Sequence, residues 1–145
     1  IRIGVVVPSY RDARNFVDYV LQHIPAEYSP KYQHLLSRLE LSNGSSISFY
    51  ATGSTHMRGA CFHYGVVSEA QEQFRHGRDG SLMVELLVGT RLGEKPRVFV
   101  EGSHERDGSD ELIGCLQSMG ALIRYTESEQ NSMLSKAYLR NLRRM

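Results

Sequence analysis

The feature that most constrains the fold of this chain is the apolar, β-rich run Ile1–Val7, which Pro8 ends. A short run of this kind suits a strand buried inside a parallel sheet. Ser9 can then cap a helix whose apolar residues recur at helical spacing until Pro25 stops it. The start of the sequence therefore predicts one βα unit.

The remainder of the chain also alternates between strand-like and helix-like segments. Further strands are predicted at Phe62–Val67, Arg97–Val100 and Leu122–Tyr125, and further helices from about Ser81 to a stop at Gly93, over Asp110–Met119 and over Ser132–Met145. Asn43 and Gly44 separate Leu39–Leu41 from Ile47–Tyr50, and the positive φ angles that Asn-Gly supplies predict a β-hairpin there. The predicted fold is α/β, a mostly parallel sheet with flanking helices and an inserted β-hairpin.

Composition limits the class of protein. The 145 residues, 41% of them hydrophobic, are the size of one domain, so we expect a single domain over 1–145. A net charge of +1, from 17 basic and 16 acidic residues, creates no global field that demands a nucleic-acid or membrane partner. Cys61 and Cys115 are too few for a disulfide framework, and no apolar run approaches the roughly 20 residues of a membrane span. These features favour a soluble cytoplasmic protein, and the start within a strand-like run suggests a piece of a longer one.

Polar residues follow three of the predicted strands, at Pro8–Ser9, Ser68–Glu69 and Gly102–Ser103. Ligands of parallel α/β sheets bind beyond the carboxyl ends of the strands, so these residues are expected to cluster on one edge. In nucleoside-triphosphate hydrolases, a Glu at the position of Glu69 polarises the attacking water, and an Asp at the position of Ser68 helps to hold magnesium. The spacing alone is equally typical of a surface glutamate that follows a strand.

Arg58 is a second candidate for chemistry at that edge. It lies eleven residues before Glu69, at the end of a loop rich in Gly, Ser and Thr. The guanidinium fork matches phosphate oxygens, which makes Arg58 a candidate to sense or stabilise a phosphate group. Taken alone, the pattern favours a solvated turn residue.

Several signatures are absent from the sequence. No segment matches the phosphate-binding loop G-x-x-x-x-G-K-S/T, and the loop Gly102–Gly108 carries acidic residues that repel phosphate. His56, Cys61 and His63 have a spacing outside the common zinc patterns, so no metal site is predicted. Arginines near the end of the last predicted helix favour a solvated face that complements the helix dipole over a contact with DNA phosphates.

Six short motifs follow one another along nearly the whole chain: Val7–Arg14, Leu41–Tyr50, Met57–Gly59, Val66–Ala70, Leu87–Arg97 and Ser128–Ser135. In this order they resemble the large terminase subunits of tailed phages. The first three are similar to that family's second core strand with its helix, its N-G-S hairpin and its Arg-Gly loop. The last three are similar to its Walker B strand, its link into the next strand, and its asparagine-containing segment beyond the last core strand.

The resemblance implies a P-loop NTPase-like fold and a role in an ATP-driven motor, which forms rings at a capsid portal and threads double-stranded DNA inward. Glu69 matches the glutamate that orients water for attack on the γ-phosphate, and Arg58 matches an arginine that in some members acts on a neighbouring subunit's nucleotide. Ser68 falls in the vicinity of nucleotide and magnesium. The parent protein would bind ATP and magnesium in the host cytoplasm, with DNA, portal and capsid as partners and no membrane.

The sequence departs from this family at three places. Ser68 replaces the Walker B aspartate, and Val100–Ser103 stands in place of a threonine-threonine-proline coupling motif. The Walker A strand with its phosphate loop is missing, as is the nuclease domain. We therefore expect the chain alone to bind no cofactor and to be inactive, although its parent would be an ATPase.

The missing Walker A strand has a consequence for the predicted sheet. In this class of ATPase it lies between the strands that Arg97–Val100 and Leu122–Tyr125 represent, so two strand edges lose their shared partner. We expect the chain to be completed by the remainder of the terminase subunit, to pair with another copy of itself in an oligomer, or to rearrange its strand order.

Two alternatives to a motor fragment stay open. One is a non-catalytic, terminase-derived remnant that acts as a protein-interaction module, in which the changes at Ser68 and Glu101 reflect lost hydrolysis. The other is a fragment of another P-loop ATPase, a helicase or a PhoH-like protein, because Met57–Gly59 and Glu69–Gln71 also resemble those families.

Overall fold

The computed structural model describes residues 1–53, 57, 59–103 and 106–124 of the chain. Within these residues the strands are β1 (Arg2–Val7), β2 (Lys31–Gln33), β3 (Arg38–Glu40), β4 (Ser46–Ala51), β5 (Tyr64–Val67) and β6 (Arg97–Val100). The α-helices are α1 (Tyr10–His23), α2 (Ser81–Gly89) and α3 (Ser109–Ser118), and short 3-10 helices cover Ala26–Tyr28, His34–Leu36 and Ala70–Phe74. The predicted alternation of strands and helices is confirmed as far as α3.

The strands form one six-stranded sheet in the order β2-β3-β4-β1-β5-β6. β1 pairs in parallel with both β4 and β5, and β5 pairs in parallel with β6. Beyond β4 the sheet continues with antiparallel pairing, of β3 with β4 and of β2 with β3. The predicted fold class is confirmed, with one refinement: the second strand of the hairpin, β4, is itself a member of the parallel core.

One face of the sheet, called here the first face, packs against α1. Its core contains Val5 and Val7 of β1, Leu39 of β3 and Phe49 of β4, all buried, together with Val17 of the helix. These strand residues alternate with residues that point to the opposite side, because successive side chains of a strand lie on opposite faces. The first face is therefore apolar across neighbouring strands.

Helix α1 begins and ends where the sequence predicts. Ser9 is its N-cap, and the Ser9 hydroxyl oxygen accepts a hydrogen bond from the backbone N–H of Asp12 at 3.2 Å. At the other end the Ile24 N–H donates to the Val20 carbonyl at 2.9 Å, directly before Pro25, which cannot continue the helix. Local signals therefore predict both ends of this helix.

The opposite side of the sheet, the second face, packs against α2 over β1 and β5. Gly4 and Gly65 make this approach close: a Cβ on Gly4 would lie 2.6 Å from Leu86 Cδ1, and a Cβ on Gly65 would lie 3.1 Å from Leu86 Cγ. The ring of Phe62 fills the space beside Gly4, 2.9 Å from where its Cβ would be. Two glycines thus let one leucine of α2 rest directly on the sheet.

The predicted hairpin forms between β3 and β4, but its turn differs in detail from the prediction. Of Asn43 and Gly44, only the glycine has a positive φ, of 81°. Asn43 contributes through its side chain instead, because its Oδ1 accepts the Ser45 N–H at 2.9 Å. The Leu41 N–H donates to the Ser45 carbonyl at 2.9 Å and closes the loop.

The predicted stop of the second helix at Gly93 is wrong, because α2 ends at Gly89. Thr90 leaves the helix and forms a parallel bridge with Phe62, and β5 begins two residues later than predicted, at Tyr64. A Cβ on Gly89 would lie 2.8 Å from the Ala60 carbonyl oxygen, so this glycine permits the close contact. The end of the helix is therefore set by a distant segment rather than by a local stop signal.

β6 is the edge of the described sheet and pairs there only with β5. The strand predicted at Leu122–Tyr125 is not formed at residues 122–124, and Tyr125 lies outside the described residues. The Ala121 N–H instead donates to the Leu116 carbonyl at 3.0 Å and closes the end of α3. Among the described strands, the outer edge of β6 is therefore unpaired, and the predicted helix Ser132–Met145 lies outside the described residues.

Contacts group the chain into two units, Ile1–Gly114 and Cys115–Met145. The first unit contains the whole sheet with α1 and α2, and in the second the described residues are 115–124. The single domain over 1–145 stays a prediction. In the described part of the chain, no helix is long and apolar enough to cross a membrane.

Gly4→Ala is expected to lower the free energy of unfolding by about 1–3 kcal/mol, the usual cost of overpacking a core. The added Cβ must displace Leu86 or the ring of Phe62. Urea denaturation followed by circular dichroism measures the change. The control is Gly114→Ala, a position of α3 with open space around it, where alanine should raise stability by up to about 1 kcal/mol. Equal stability of Gly4→Ala and the parent chain would contradict the close packing of α2.

Candidate functional site at the carboxyl edge of the sheet

The four parallel strands β4, β1, β5 and β6 all end at the same edge of the sheet. Their registers align Val7 with Ala51, Val6 with Val67, and Val67 with Val100, so the segments that follow begin side by side. The predicted clustering of the residues after β1, β5 and β6 on one edge is confirmed. This edge is where ligands of parallel α/β sheets bind.

Glu69 follows β5 with an unusual backbone conformation. It is left-handed, with φ 50° and ψ 50°, a region that costs a non-glycine residue about 1–3 kcal/mol. Such strain persists only where the surroundings fix the conformation. The side chain remains 42% exposed. Glu69 therefore presents a carboxylate to solvent from a strained position at the edge of the sheet.

Glu101, the first residue after β6, holds the end of β5 in place. Its Oε1 accepts one hydrogen bond from Ser68 Oγ and another from the Glu69 N–H, both at 2.9 Å. The Glu101 N–H donates to the Val67 carbonyl, and the Ala70 N–H donates to the Glu101 carbonyl, again at 2.9 Å. Because these bonds fix the peptide groups on both sides of Glu69, they offset the strain of its left-handed conformation.

Gln71 fixes the direction of the Glu69 side chain. It is fully buried, and its Nε2 donates to Glu69 Oε2 at 2.5 Å. Its Oε1 accepts the Ser103 N–H at 3.1 Å, so both ends of the buried amide are satisfied. Gly102 leaves the necessary room, because a Cβ there would lie 2.7 Å from Gln71 Oε1. The amide thereby ties the loop after β5 to the loop after β6.

Arg106 is the cationic neighbour of Glu69 in the described part of the chain. Its Nη1 lies 3.5 Å from Glu69 Oε2, and its side chain is 62% exposed. An exposed pair of this kind contributes about 0–1 kcal/mol. The orientation of Glu69 therefore depends on the buried amide of Gln71 more than on this ion pair.

Two of the three predicted site residues, Ser68 and Glu69, lie together at this edge. Arg58 lies outside the described residues, so its role stays a prediction. The sequence does not point to Glu101 or Gln71 as partners of Glu69. The place of Glu101 directly after a strand was a usable signal, whereas nothing local marks a glutamine in a short turn as buried.

The described residues of this edge do not by themselves fit a complex of nucleotide and magnesium. Phosphate oxygens need cations or N–H donors, but the described residues present the carboxylates of Glu69 and Glu101, and the Arg106 guanidinium lies against the first of these. No group of three or more metal-ligating side chains occurs among the described residues. The sequence contains no G-K-S/T loop. A nucleotide at this edge would need donors from elsewhere.

Solved structures show which proteins share this fold. The large terminase of a thermophilic bacteriophage gives a TM-score of 0.69 at 12% identity, over 99% of this chain and 36% of that one. The large terminase of bacteriophage HK97 gives a TM-score of 0.60 at 14% identity, over 94% of this chain and 30% of that one. No protein-family model and no curated protein matches the sequence.

The chain therefore has an α/β fold that is found in phage large terminases, as the order of its motifs predicts. It spans about a third of the length of these two proteins. At 12% and 14% identity the likeness is one of fold. The roles of individual residues at the carboxyl edge rest on the geometry described above.

Glu69→Gly is expected to be more stable than Glu69→Ala by about 1 kcal/mol, because only glycine adopts the left-handed region without strain. Both variants remove the carboxylate that accepts from Gln71, so their difference isolates the backbone effect. Urea denaturation measures both free energies of unfolding. At Glu72, which lies in the adjoining 3-10 helix, the order should reverse, with alanine the more stable. Equal stability of the two Glu69 variants would show that the site stores no backbone strain.

Proposed function

We propose that this chain is a portion of the ATP-hydrolysing motor of a viral terminase that packages double-stranded DNA into a capsid. The observation that carries the proposal is Glu69, a carboxylate fixed at the carboxyl end of β5 in a sheet whose fold occurs in phage large terminases. The order of the six sequence motifs supports the same function.

The role proposed for Glu69 is to orient a water molecule and take a proton from it. A general base must be held within hydrogen-bond reach of that proton. The Gln71 amide holds Oε2 and so orients the whole carboxylate, while the side chain stays open to solvent on its other side. The hydrogen-bonded backbone of Glu69 and the buried Gln71 amide together hold the carboxylate in one orientation, as a general base requires.

We propose further that the chain alone does not hydrolyse ATP. The contacts of Ser68 and Glu101 support this. A serine hydroxyl lacks the charge that magnesium favours, and here it already donates to Glu101. Oε1 of Glu101 accepts two hydrogen bonds, which occupy both lone pairs of that oxygen. We therefore propose that ATP and magnesium are bound mainly by other parts of the terminase.

The proposed function also implies partners. The outer edge of β6 is unpaired among the described strands, and Phe99 on it is 58% exposed. An open strand edge favours pairing with another segment. We propose that the remainder of the terminase subunit or another copy of the chain pairs there, within an oligomeric motor that handles DNA at the portal in the host cytoplasm.

A second candidate function is a non-catalytic, terminase-derived module that binds another protein. The observation that favours it is the bond from Ser68 to Glu101, in which a hydroxyl stands where a motor would use a charged ligand, and serves a structural contact instead. The open edge of β6 would then be the binding surface. The two functions differ in whether Glu69 affects ATP hydrolysis.

In the full polypeptide that contains this chain, Glu69→Gln is expected to lower DNA-stimulated ATP hydrolysis by about 100-fold or more, because a positioned base contributes about 10²–10⁴-fold. Phosphate release measures the rate. Glu72→Gln is the matched control: Glu72 lies in the same turn but pairs with Arg75 at 2.7 Å, so hydrolysis should be unchanged. Undiminished hydrolysis by Glu69→Gln would exclude the catalytic role, and absent hydrolysis in the parent protein would favour the binding module.

The isolated 145-residue chain is expected to bind ATP with magnesium more weakly than micromolar, because it has no phosphate-binding loop. Titration with a fluorescent ATP analogue, with and without magnesium, measures the affinity. Micromolar binding would contradict the proposal that other parts of the terminase hold the phosphates.

A further inference from the structure

The second face of the sheet carries a polar groove that lies away from the carboxyl edge site. Where α2 covers β1 and β5, this face is closed by Leu86. Over β3 and β4 a cavity of about 520 Å³ remains, lined by Arg2, Arg38, Ser46, Ser48 and other residues. We call this cavity the arginine groove.

The register of the strands places two arginines on either side of a pair of serines. Leu39 lies in the core on the first face, so its neighbour Arg38 points to the second face. Arg38 stands opposite Ser48, and Arg2 stands opposite Ser46, on the two strands that flank β4. Two guanidinium groups can therefore converge above two hydroxyl groups.

The charge of this face favours an anion. Lys31 of β2 lies on the same face as Arg2 and Arg38, and the one carboxylate on this face of β1 to β4 is Glu40. Glu40 is already engaged, because its Oε2 accepts from Gln33 Nε2 at 2.7 Å. Among the residues that line the groove, two cations, Arg2 and Arg38, lie against one carboxylate, Glu40, which leaves a net positive charge.

One hydrogen-bond donor of Arg38 has no partner among the described residues. This donor is Nε, which is buried, although buried donors nearly always have a partner. The Glu40 carboxylate lies 3.8 Å from Nη1, which is beyond hydrogen-bond distance. The side chain as a whole is 43% exposed, so its fork opens into the groove. The exposed terminal nitrogens of the fork can donate to an anion in the groove.

We propose that the arginine groove binds a phosphate group, held by Arg2 and Arg38 with the hydroxyl groups of Ser46 and Ser48 as further donors. The terminal oxygens of a phosphate group match the geometry of a guanidinium fork, and planar bidentate pairing with phosphate is what arginine provides and lysine does not. Tyr50 also lines the groove, and its hydroxyl is already uncharged at neutral pH; burial raises its pKa further.

A phosphate group of this kind has two sources, the backbone of a nucleic acid and a small phosphate compound. The groove arginines flank Ser46 and Ser48 near the amino end of β4, whereas Glu69 lies beyond the carboxyl end of β5. The groove uses none of the partners of Glu69, so the proposal does not depend on the catalytic role of that residue. If the source is DNA, this face is a contact of the chain with the polymer that a terminase moves.

The test compares the 145-residue chain with Arg2→Gln, Arg38→Gln and Arg38→Lys. The probes are a short fluorescein-labelled DNA duplex and its single strand, followed by anisotropy, and inorganic phosphate and pyrophosphate, followed by calorimetry. The matched controls are Arg11→Gln and Arg14→Gln, which remove exposed arginines of α1 on the other side of the sheet. Circular dichroism confirms that each variant is folded.

Loss of either groove arginine is expected to weaken binding about tenfold, the scale of one charge-assisted hydrogen bond. For DNA, the slope of log affinity against log salt should fall by about one for each arginine removed. Arg38→Lys keeps the charge but lacks the planar guanidinium fork, so it should also bind more weakly than the parent chain.

The outcomes separate the two sources. Binding of DNA that is sensitive to Arg2 and Arg38 identifies a nucleic-acid backbone, and binding of phosphate or pyrophosphate alone identifies a small phosphate compound. Absence of binding by every probe overturns the proposal. Equal weakening by the α1 controls overturns it as well, because the binding would then reflect net charge rather than this groove.

Discussion

The structure depends on β1, the strand on which both layers of helices rest. It pairs in parallel with β4 on one side and β5 on the other, so both of its edges are used. Its two faces differ: Val5 and Val7 fill the core under α1, whereas Gly4 lets Leu86 of α2 approach the backbone. The carboxyl edge exists because these parallel pairings align the strand ends, and the arginine groove exists because α2 stops at β1.

Much of this architecture follows from local patterns in the sequence. The β-rich run before Pro8, the Ser9 cap and the Asn43-Gly44 turn each predict the element that forms. The errors arise where a contact outside the predicted element decides the outcome. α2 ends early where Thr90 bridges to Phe62, and the strand expected at Leu122–Tyr125 is not formed at 122–124, because the Ala121 N–H donates back to Leu116 at the end of α3.

The candidate site shows the same division between local and distant information. Ser68 and Glu69 are predictable because they follow a strand, but the groups that hold them come from another strand and from a buried turn. Glu101 accepts from both residues, and Gln71 orients the carboxylate. A sequence read without strand order cannot show that Glu101 lies beside Ser68. The arginine groove was equally hidden, because Arg2 and Arg38 meet only through β4.

The central place of β1 also governs the order in which this sheet can assemble. β3 and β4 are joined by a tight turn and can pair early, whereas β1 must join β4 and β5, which lie far along the chain. Closing such long loops costs entropy before any contact is gained, which slows folding. Although β1 precedes the other five described strands along the chain, both of its edges can be paired only after β5 has been synthesised.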